Sequence, residues 1–241
     1  MKKIGIIAAW EPELQYLLKH YKPIKTETVA AWTFYTHQLA NLHIISVVAG
    51  VGKVKTASCT QLLITNYFPD ELFMTGICGG LSEEVSGGDI IIAEKTIQHD
   101  VTDAGISSDP LDAYLGRSSI IDSTQVIISM FKEFTKNTAE RVHFGTFVSG
   151  DQRIRDNEIS YKLMTEFAAI AVDQELAAFA HVCYLNNINF MGLKSVSDKA
   201  NTNTINDQKL FIQKACINSC KILIDFLDYR QRKFDEGLGI R

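Results

Sequence analysis

Three carboxylates in the chain stand where they could share one pocket. Glu13, Glu175 and Asp198 each follow a run of residues that predicts a buried strand. In an open α/β sheet, ligands bind outside the carboxyl ends of the strands, so acids at those ends can meet around one ligand. A carboxylate held there can accept a proton when it is ionised or donate one when it is protonated. The spacing therefore predicts a pocket suited to acid–base chemistry.

Two of these acids also have an ordinary structural explanation. Glu13 falls in the first turn of a helix predicted over residues 12–20, where the helix dipole favours an ionised carboxylate whatever its function. Glu175 stands at a junction between strand and helix, wedged among apolar neighbours, which is unusual for a carboxylate. From the residues alone, capping or catalysis stays open for Glu13, and structure or function stays open for Glu175.

The stretch ELFMTGICGGL, residues 71–81, is the one around which the chain is organised. Residues 72–74 predict a strand buried on both faces. Gly76, Gly79 and Gly80 then predict a glycine-rich loop whose backbone can approach a ligand closely. The alternative is that these glycines only turn the chain.

Strands alternate with helices along the whole sequence, which predicts a sheet covered by helices on both faces. We expect an α/β fold of three layers, α/β/α, with a central mixed and mostly parallel sheet, in a single domain over residues 1–241. The predicted strands are residues 3–9, 31–37, 42–49, 72–74, 90–93, 143–148, 170–173 and 190–196. The predicted helices are residues 12–20, 54–67, 123–136, 175–186 and 209–232, with a further helix ending at 162–167.

Composition narrows the partner classes. The 241 residues are 46% hydrophobic and 22% charged, with a net charge of −4 and both signs interspersed. The sequence has no basic patch of the kind that binds nucleic acid. It also has no polybasic segment or long apolar segment that would bind or span a membrane, so a small molecule is the expected partner. Five cysteines without a CxxC pair predict reduced, buried thiols in a cytoplasmic protein.

Two tempting nucleotide motifs fail on spacing. Gly50-Val-Gly-Lys53 is followed by neither the GK[ST] of a phosphate loop nor the third glycine of a dinucleotide fingerprint. Ser149 lies in no GxSxG motif, so a serine hydrolase has no support either.

Seven motifs in one order carry a family resemblance. Together they resemble the 5'-methylthioadenosine/S-adenosylhomocysteine nucleosidases, within the purine nucleoside phosphorylase superfamily. The motifs are IGIIAAWEPE from Ile4, AGVGKVKTA from Ala49, TGICGGL from Thr75, GGDIII from Gly87, VSGD from Val148, AVDQELAAFAHVC from Ala171 and SVSDKA from Ser195.

The resemblance implies a role for each candidate residue. It makes Glu13 the base that takes a proton from water, Asp198 the acid that protonates the purine ring, and Glu175 the group that binds the ribose hydroxyls. Gly79 would lie against the nucleoside, and the backbone of Ile154 would meet the edge of the base. It further implies a homodimer in which a neighbour closes the pocket. The cleavage chemistry itself requires no metal or redox cofactor.

These residue types suit the cleavage of an N-glycosidic bond. That reaction builds positive charge on the ribose and negative charge on the departing base, much as in glycoside hydrolysis. Asp198 then needs a raised pKa, which burial could supply, whereas Glu13 must stay ionised. Because Glu11 and Glu13 would repel phosphate, water is the expected nucleophile.

Four residues depart from the family pattern. Gln174 replaces a methionine that packs on the sugar, Arg153 replaces an aromatic residue that stacks on adenine, Ile77 replaces a small residue or serine, and Trp10 replaces a methionine. With Ser197, Gln174 and Arg153 complete the predicted substrate-binding residues. The departures indicate a reshaped pocket, in which Arg153 either meets an anionic group of the substrate or points to solvent.

Three interpretations of function stay open at this point. The first is hydrolysis of an adenine nucleoside such as 5'-methylthioadenosine or S-adenosylhomocysteine. The second keeps the fold and the acids but changes the substrate, for example to futalosine or to a nucleoside monophosphate, or changes the nucleophile to phosphate. The third is a protein that binds a nucleoside without cleaving it.

Overall fold

The computed structural model describes residues 2–39, 41–101 and 120–235. Among them are eleven strands and six helices that alternate along the chain. The strands are β1 Lys2–Ala8, β2 Lys25–Val29, β3 Trp32–Leu39, β4 Leu42–Val48, β5 Glu71–Met74, β6 Ile77–Gly80, β7 Ile90–Gln98, β8 Ile120–Asp122, β9 Val142–Ser149, β10 Ala169–Asp173 and β11 Asn189–Asp198. The helices are α1 Glu11–His20, α2 Lys53–Tyr67, α3 Gln125–Thr135, α4 Asn157–Phe167, α5 Leu176–Leu185 and α6 Thr204–Asp235.

All eleven strands belong to one mixed sheet, which confirms the predicted α/β class. Their order is β2-β3-β4-β1-β5-β11-β6-β10-β9-β7-β8, with parallel and antiparallel neighbours. One further pairing joins β11 to β7, so that β11, β6, β10, β9 and β7 close into a ring. The sequence did not predict this closure, because a pairing between distant strands leaves no local pattern.

The strand β5 lies at the centre of the sheet, as its unbroken apolar run predicts. It pairs in parallel with β1 on one side and with β11 on the other. All four of its residues are buried. A strand covered on both faces has no need of polar alternation, which is why residues 72–74 are continuously apolar.

The glycine-rich segment after β5 is a strand, so the predicted loop is wrong for residues 77–80. It forms β6, which pairs in parallel with β11 and antiparallel with β10. A Cβ atom on Gly79 would lie 2.8 Å from the Cβ of Ala200, and one on Gly80 would lie 2.6 Å from the Cγ2 of Val85. These glycines therefore let β6 pack closely against its neighbours.

Other elements differ from the prediction as well: the strand β8 was not predicted, and β7 runs to Gln98 rather than to residue 93. The strand β2, with the sequence KTETV, is largely polar and exposed, so it carries no apolar signal. The sequence predicts only the end of α4. The helix begins at Asn157, where the Asp156 carboxylate accepts hydrogen bonds from the N–H groups of Glu158 and Ile159. The helix α6 begins five residues before the predicted start at Lys209.

Two buried clusters cover the two faces of the sheet. One contains Leu63 of α2 and Phe179 of α5, and the other contains Leu14 of α1 and Phe226 of α6. All five cysteines are free and buried, as expected for reduced thiols. Within the described ranges, no helix has the length and apolar character needed to cross a membrane.

Candidate active site

A cavity of about 290 Å³ opens where β1, β10 and β11 end. Its size is near the lower end of the range of small-molecule sites, roughly 300–1,000 Å³. The structure brings all eight predicted site residues to its wall: Glu13, Gly79, Arg153, Ile154, Gln174, Glu175, Ser197 and Asp198.

Glu13 is held on both carboxylate oxygens by backbone N–H groups. Ala9 and Trp10 each donate to its Oε2 at 2.9 Å, and Ile77 donates to its Oε1 at 2.9 Å. A Cβ atom on Gly76 would lie 2.7 Å from the same Oε1, so glycine is required beneath the carboxylate. Glu13 thus caps the start of α1 and also faces the cavity, and the two interpretations of this residue are compatible.

Burial changes the proton affinity of Glu13. Its side chain is nearly inaccessible, and this desolvation raises its pKa above the ordinary value. The positive charge of Lys194 and the N–H groups of Ile77 and Trp10 act in the opposite direction. A carboxylate whose pKa is raised toward the working pH is a stronger proton acceptor than an exposed one.

A buried lysine pairs with two of the acids that line the cavity. Lys194, in β11, is 0% exposed, and its Nζ lies 2.6 Å from Asp173 Oδ2 and 3.2 Å from Glu175 Oε2. Burial lowers the pKa of Lys194, but the charges of Asp173, Glu175 and Glu13 outweigh it and raise the pKa overall. The lysine therefore stays protonated beneath the cavity.

Glu175 is anchored from two directions. Its Oε2 accepts from Lys194, and its Oε1 accepts a hydrogen bond of 3.0 Å from the N–H of Gly52. Burial raises the pKa of Glu175, while Lys194 and the Gly52 amide act against that shift. This anchoring fixes the carboxylate at the start of α5, with its face toward the cavity.

Neither Lys194 nor Asp173 was identified from the sequence. The available signal was a lysine inside the apolar run of residues 190–196, because charged residues are almost never fully buried unless they are paired. Asp173, at the end of β10, is the matching acid. A lone lysine in a buried strand is thus a useful indicator of carboxylates brought near it by the fold.

We expect Lys194→Met to destabilise the protein strongly. The substitution keeps the length of the side chain but leaves two buried carboxylates without a cation, which typically costs about 3–5 kcal/mol. Urea unfolding at neutral pH measures this change, and the loss should shrink at acidic pH as the carboxylates take up protons. Lys95→Met, an exposed lysine on β7, is the control. A loss no larger than that of the control contradicts the assigned ion pairs.

Asp198 receives hydrogen bonds on both carboxylate oxygens. The hydroxyl of Ser197 and the Nε2 of Gln208 each donate to Oδ2 at 2.8 Å. The N–H of Ala200 donates to Oδ1 at 2.8 Å. Gln208, which the sequence analysis missed, lies near the start of α6, ten residues after Asp198 in the chain.

The remaining predicted residues surround these acids. Gly79 pairs with Asp198 across the β6–β11 ladder. Gln174 donates from its Nε2 to the carbonyl of Asp151 at 2.9 Å, and the buried Ile154 lies beside Arg153 on the wall. Within the described ranges, no three His, Cys, Asp or Glu side chains are grouped so that they could hold a metal ion.

Comparison with known proteins places the chain in a family. The model of the phosphorylase superfamily matches residues 3–228. The 5'-methylthioadenosine/S-adenosylhomocysteine nucleosidase of Shewanella sediminis is 30% identical over 227 residues, which covers 94% of this chain and 99% of that protein. The chain belongs to this nucleosidase family of the phosphorylase superfamily. The resemblance seen in the seven motifs is thereby confirmed.

Solved structures agree with this placement. A mutant of the Helicobacter pylori nucleosidase MTAN, crystallised with 5'-methylthioadenosine in the active site, has a TM-score of 0.89 and 25% identity, covering 95% of this chain and 99% of that one. The futalosine hydrolase of Helicobacter pylori has a TM-score of 0.88 and 26% identity, covering 95% of this chain and 98% of that one. Similar backbones therefore occur in proteins named for two kinds of substrate.

Proposed function

We propose that the protein is a purine nucleosidase that hydrolyses the N-glycosidic bond of an adenine nucleoside such as 5'-methylthioadenosine or S-adenosylhomocysteine. The products are adenine and a 5-substituted ribose. The observation that carries this proposal is that Glu13, Glu175 and Asp198 line one cavity. The family of the chain and its similarity to nucleosidases support it.

Glu13 is the proposed general base. Its ionised carboxylate takes a proton from water while the water oxygen forms a bond to C1' of the ribose. The N–H groups of Ala9, Trp10 and Ile77 hold both of its oxygens, so the carboxylate cannot rotate away from the sugar. Its raised pKa increases the driving force for that proton transfer.

Asp198 is the proposed general acid. As the C1'–N9 bond breaks, its electron pair moves into the purine, and a proton from Asp198 to a ring nitrogen neutralises the charge that develops there. Ser197 and Gln208 both donate to Oδ2 and fix the plane of this carboxyl group. The base then departs as a neutral purine.

Glu175 is the proposed ligand of the ribose hydroxyls. Its negative charge lies near the sugar, where positive charge builds as the bond to the base breaks, so its interaction strengthens in the transition state. Lys194 positions this carboxylate through their ion pair, and its positive charge offsets part of the negative charge of Glu175. It thereby acts as a positioning residue rather than as a reacting group.

The charges around the cavity favour water over phosphate as the nucleophile. Among the described residues that line it, Arg153 is the one with a positive charge. The nearby Lys194 is already paired with Asp173 and Glu175. A phosphate ion next to Glu13 would be repelled by that carboxylate, and Lys194 would have to leave its carboxylate partners to bind the ion, whereas neutral water meets no such repulsion.

The proposal extends to the assembly and location of the protein. We propose a single-domain cytoplasmic homodimer, and the exposed apolar side chains of Trp10 and Val51 at the cavity support cover by a neighbouring subunit. The five free, buried cysteines support a reducing compartment. Sedimentation equilibrium tests the dimer, and a monomer mass at micromolar concentration contradicts it.

A second candidate substrate is futalosine or another purine nucleoside with an anionic group. Arg153 favours it, because a cation at the cavity wall can meet an anion on the substrate. The similarity to the Helicobacter pylori futalosine hydrolase also supports it. A panel of nucleosides scored for release of the free base distinguishes this candidate from the first.

The first test is base release in the absence of phosphate. We expect the purified protein to release adenine from 5'-methylthioadenosine and S-adenosylhomocysteine in phosphate-free buffer, with one reducing sugar formed per adenine. Release that requires phosphate contradicts hydrolysis. Thermal stabilisation by both compounds without release indicates a protein that binds nucleosides and does not cleave them.

A further inference from the structure

Arg153 is a cation at the cavity wall without a partner among the residues that the structure describes. Its side chain is exposed, and no hydrogen bond or ion pair to another described residue holds it. The other charged side chains of the site, by contrast, have partners: Glu13 has three N–H donors, and Asp198 has donors on both oxygens. The donors of Arg153 are therefore available to a ligand.

Arg153 lies at the end of the cavity that contains Asp198. Ile154, the next residue in the chain, packs in one buried cluster with Ala200, whose N–H donates to Asp198 Oδ1. The negative charge of Asp198 also acts to raise the pKa of the guanidinium. Partial burial opposes this attraction and lowers the pKa of Arg153, but arginine stays protonated in proteins. Because Asp198 is the proposed acid at the purine ring, the guanidinium lies beside the base and away from the sugar.

The chemistry of the guanidinium selects among purines. Arginine has five N–H donors and no acceptor. A 6-aminopurine presents donors at position 6, whereas a 6-oxopurine presents an acceptor there, and arginine characteristically binds the O6 and N7 edge of a 6-oxopurine. An arginine at the base end therefore matches an oxygen at position 6.

We propose that Arg153 donates to O6 of a 6-oxopurine and lets the site cleave such nucleosides as well as adenine nucleosides. This inference rests on the proposed nucleosidase function and specifies its substrate class. The proposed reaction also explains how the contact would act on rate. When the C1'–N9 bond breaks, part of the negative charge on a 6-oxopurine resides on O6, so a donor there stabilises the leaving group.

Stacking on the base is the competing role for Arg153. A guanidinium plane can stack on a purine face, and this interaction does not depend on the group at position 6. Two substitutions separate the roles. Arg153→Phe keeps a flat group that stacks but removes all donors, and Arg153→Met keeps the length of the side chain but removes both the flat group and the donors. Because Arg153 is exposed, both variants should keep the thermal midpoint of the wild type.

The test compares 5'-methylthioadenosine with 5'-methylthioinosine, which differ in the group at position 6 and in the proton that the 6-oxo compound carries on N1. For the wild type, we expect kcat/KM values for the two compounds within about tenfold of each other. Both variants should lower kcat/KM for the 6-oxo compound by about tenfold or more, while the value for the 6-amino compound changes less than about threefold.

Each other outcome overturns the inference. A wild type that cleaves only the 6-amino compound leaves the proposed function intact but removes the O6 contact. Equal losses for both compounds in Arg153→Met, with activity kept in Arg153→Phe, assign Arg153 to stacking. Unchanged rates in both variants remove Arg153 from base recognition. Cleavage of neither compound by the wild type overturns the proposed function, and this inference with it.

Discussion

Replacing Glu13 by glutamine should reduce kcat by about a hundredfold or more, as loss of a general base typically does. Glutamine preserves the size of the side chain but cannot accept a proton from water. Steady-state release of adenine at saturating 5'-methylthioadenosine measures the effect. The matched control is Glu11→Gln. Glu11 lies two residues before Glu13 in the same helix, but it is exposed and does not line the cavity. A Glu13→Gln enzyme within threefold of the wild type contradicts the assignment.

The same carboxyl predicts the pH profile of the wild type. Glu13 must be ionised to act, and burial raises its pKa above the ordinary 4.5, so activity should be lost on acidification at a pH above 4.5. The pH dependence of kcat/KM is the measurement, since it reports groups of the free enzyme. Glu175, whose pKa is also raised by burial, contributes to the same acid limb. A limb that falls at or below pH 4.5 contradicts the environment assigned to both acids.

A site residue can be predicted from the sequence when its neighbours in the chain identify it, but not when its partners lie far away in the chain. Glu13 comes a few residues after the apolar run of residues 4–9, which predicts a buried strand. It could therefore be placed just beyond a strand end without a structure. Lys194 could not be assigned in this way. Its partners Asp173 and Glu175 lie about twenty residues away in the chain, and only the pairing of β10 and β11 with β6 brings them within 3.2 Å.

The three acids also meet for a different reason than the sequence suggested. The expectation was that parallel strands deliver their ends to one edge of an open sheet. β1 and β11 do run parallel to β5, which delivers Glu13 and Asp198 in that way. β10, however, runs antiparallel to β6, and this pairing sets the end of β10, just before Glu175, beside the start of β6. The two strands are far apart in the chain, so no local pattern could indicate their pairing.

The glycines of β6 show the same limit. The sequence predicts a loop at Gly79 and Gly80, because glycine is common in turns. In the fold, each of them instead leaves room for a neighbour that comes from a distant part of the chain, namely Ala200 beside Gly79 and Val85 beside Gly80. The sequence shows that a side chain is absent, but the reason for its absence becomes clear only when the neighbours are placed.

The Asp198→Asn substitution should lower kcat for adenine nucleosides by about a hundredfold or more, because asparagine cannot supply the proton that the departing purine needs. Asparagine keeps the shape of the side chain and an oxygen that can accept from Ser197 or Gln208, so the fold should persist. Asp207→Asn is the control, because Asp207 is an acid in the first turn of α6 that does not line the cavity. An Asp198→Asn rate within threefold of the wild type removes this residue from the mechanism.

A change of leaving group shows whether the loss concerns proton donation. A 5-methylthioriboside of 4-nitrophenol releases a stable anion that needs no proton, so a general acid adds little to its cleavage. The rate of Asp198→Asn on this compound should therefore approach that of the wild type, whereas Glu13→Gln should stay slow, because water must still be activated. If Asp198→Asn is equally slow on both substrates, Asp198 shapes the pocket rather than donating the proton. The assignment of Glu13 as the base and Asp198 as the acid is then wrong.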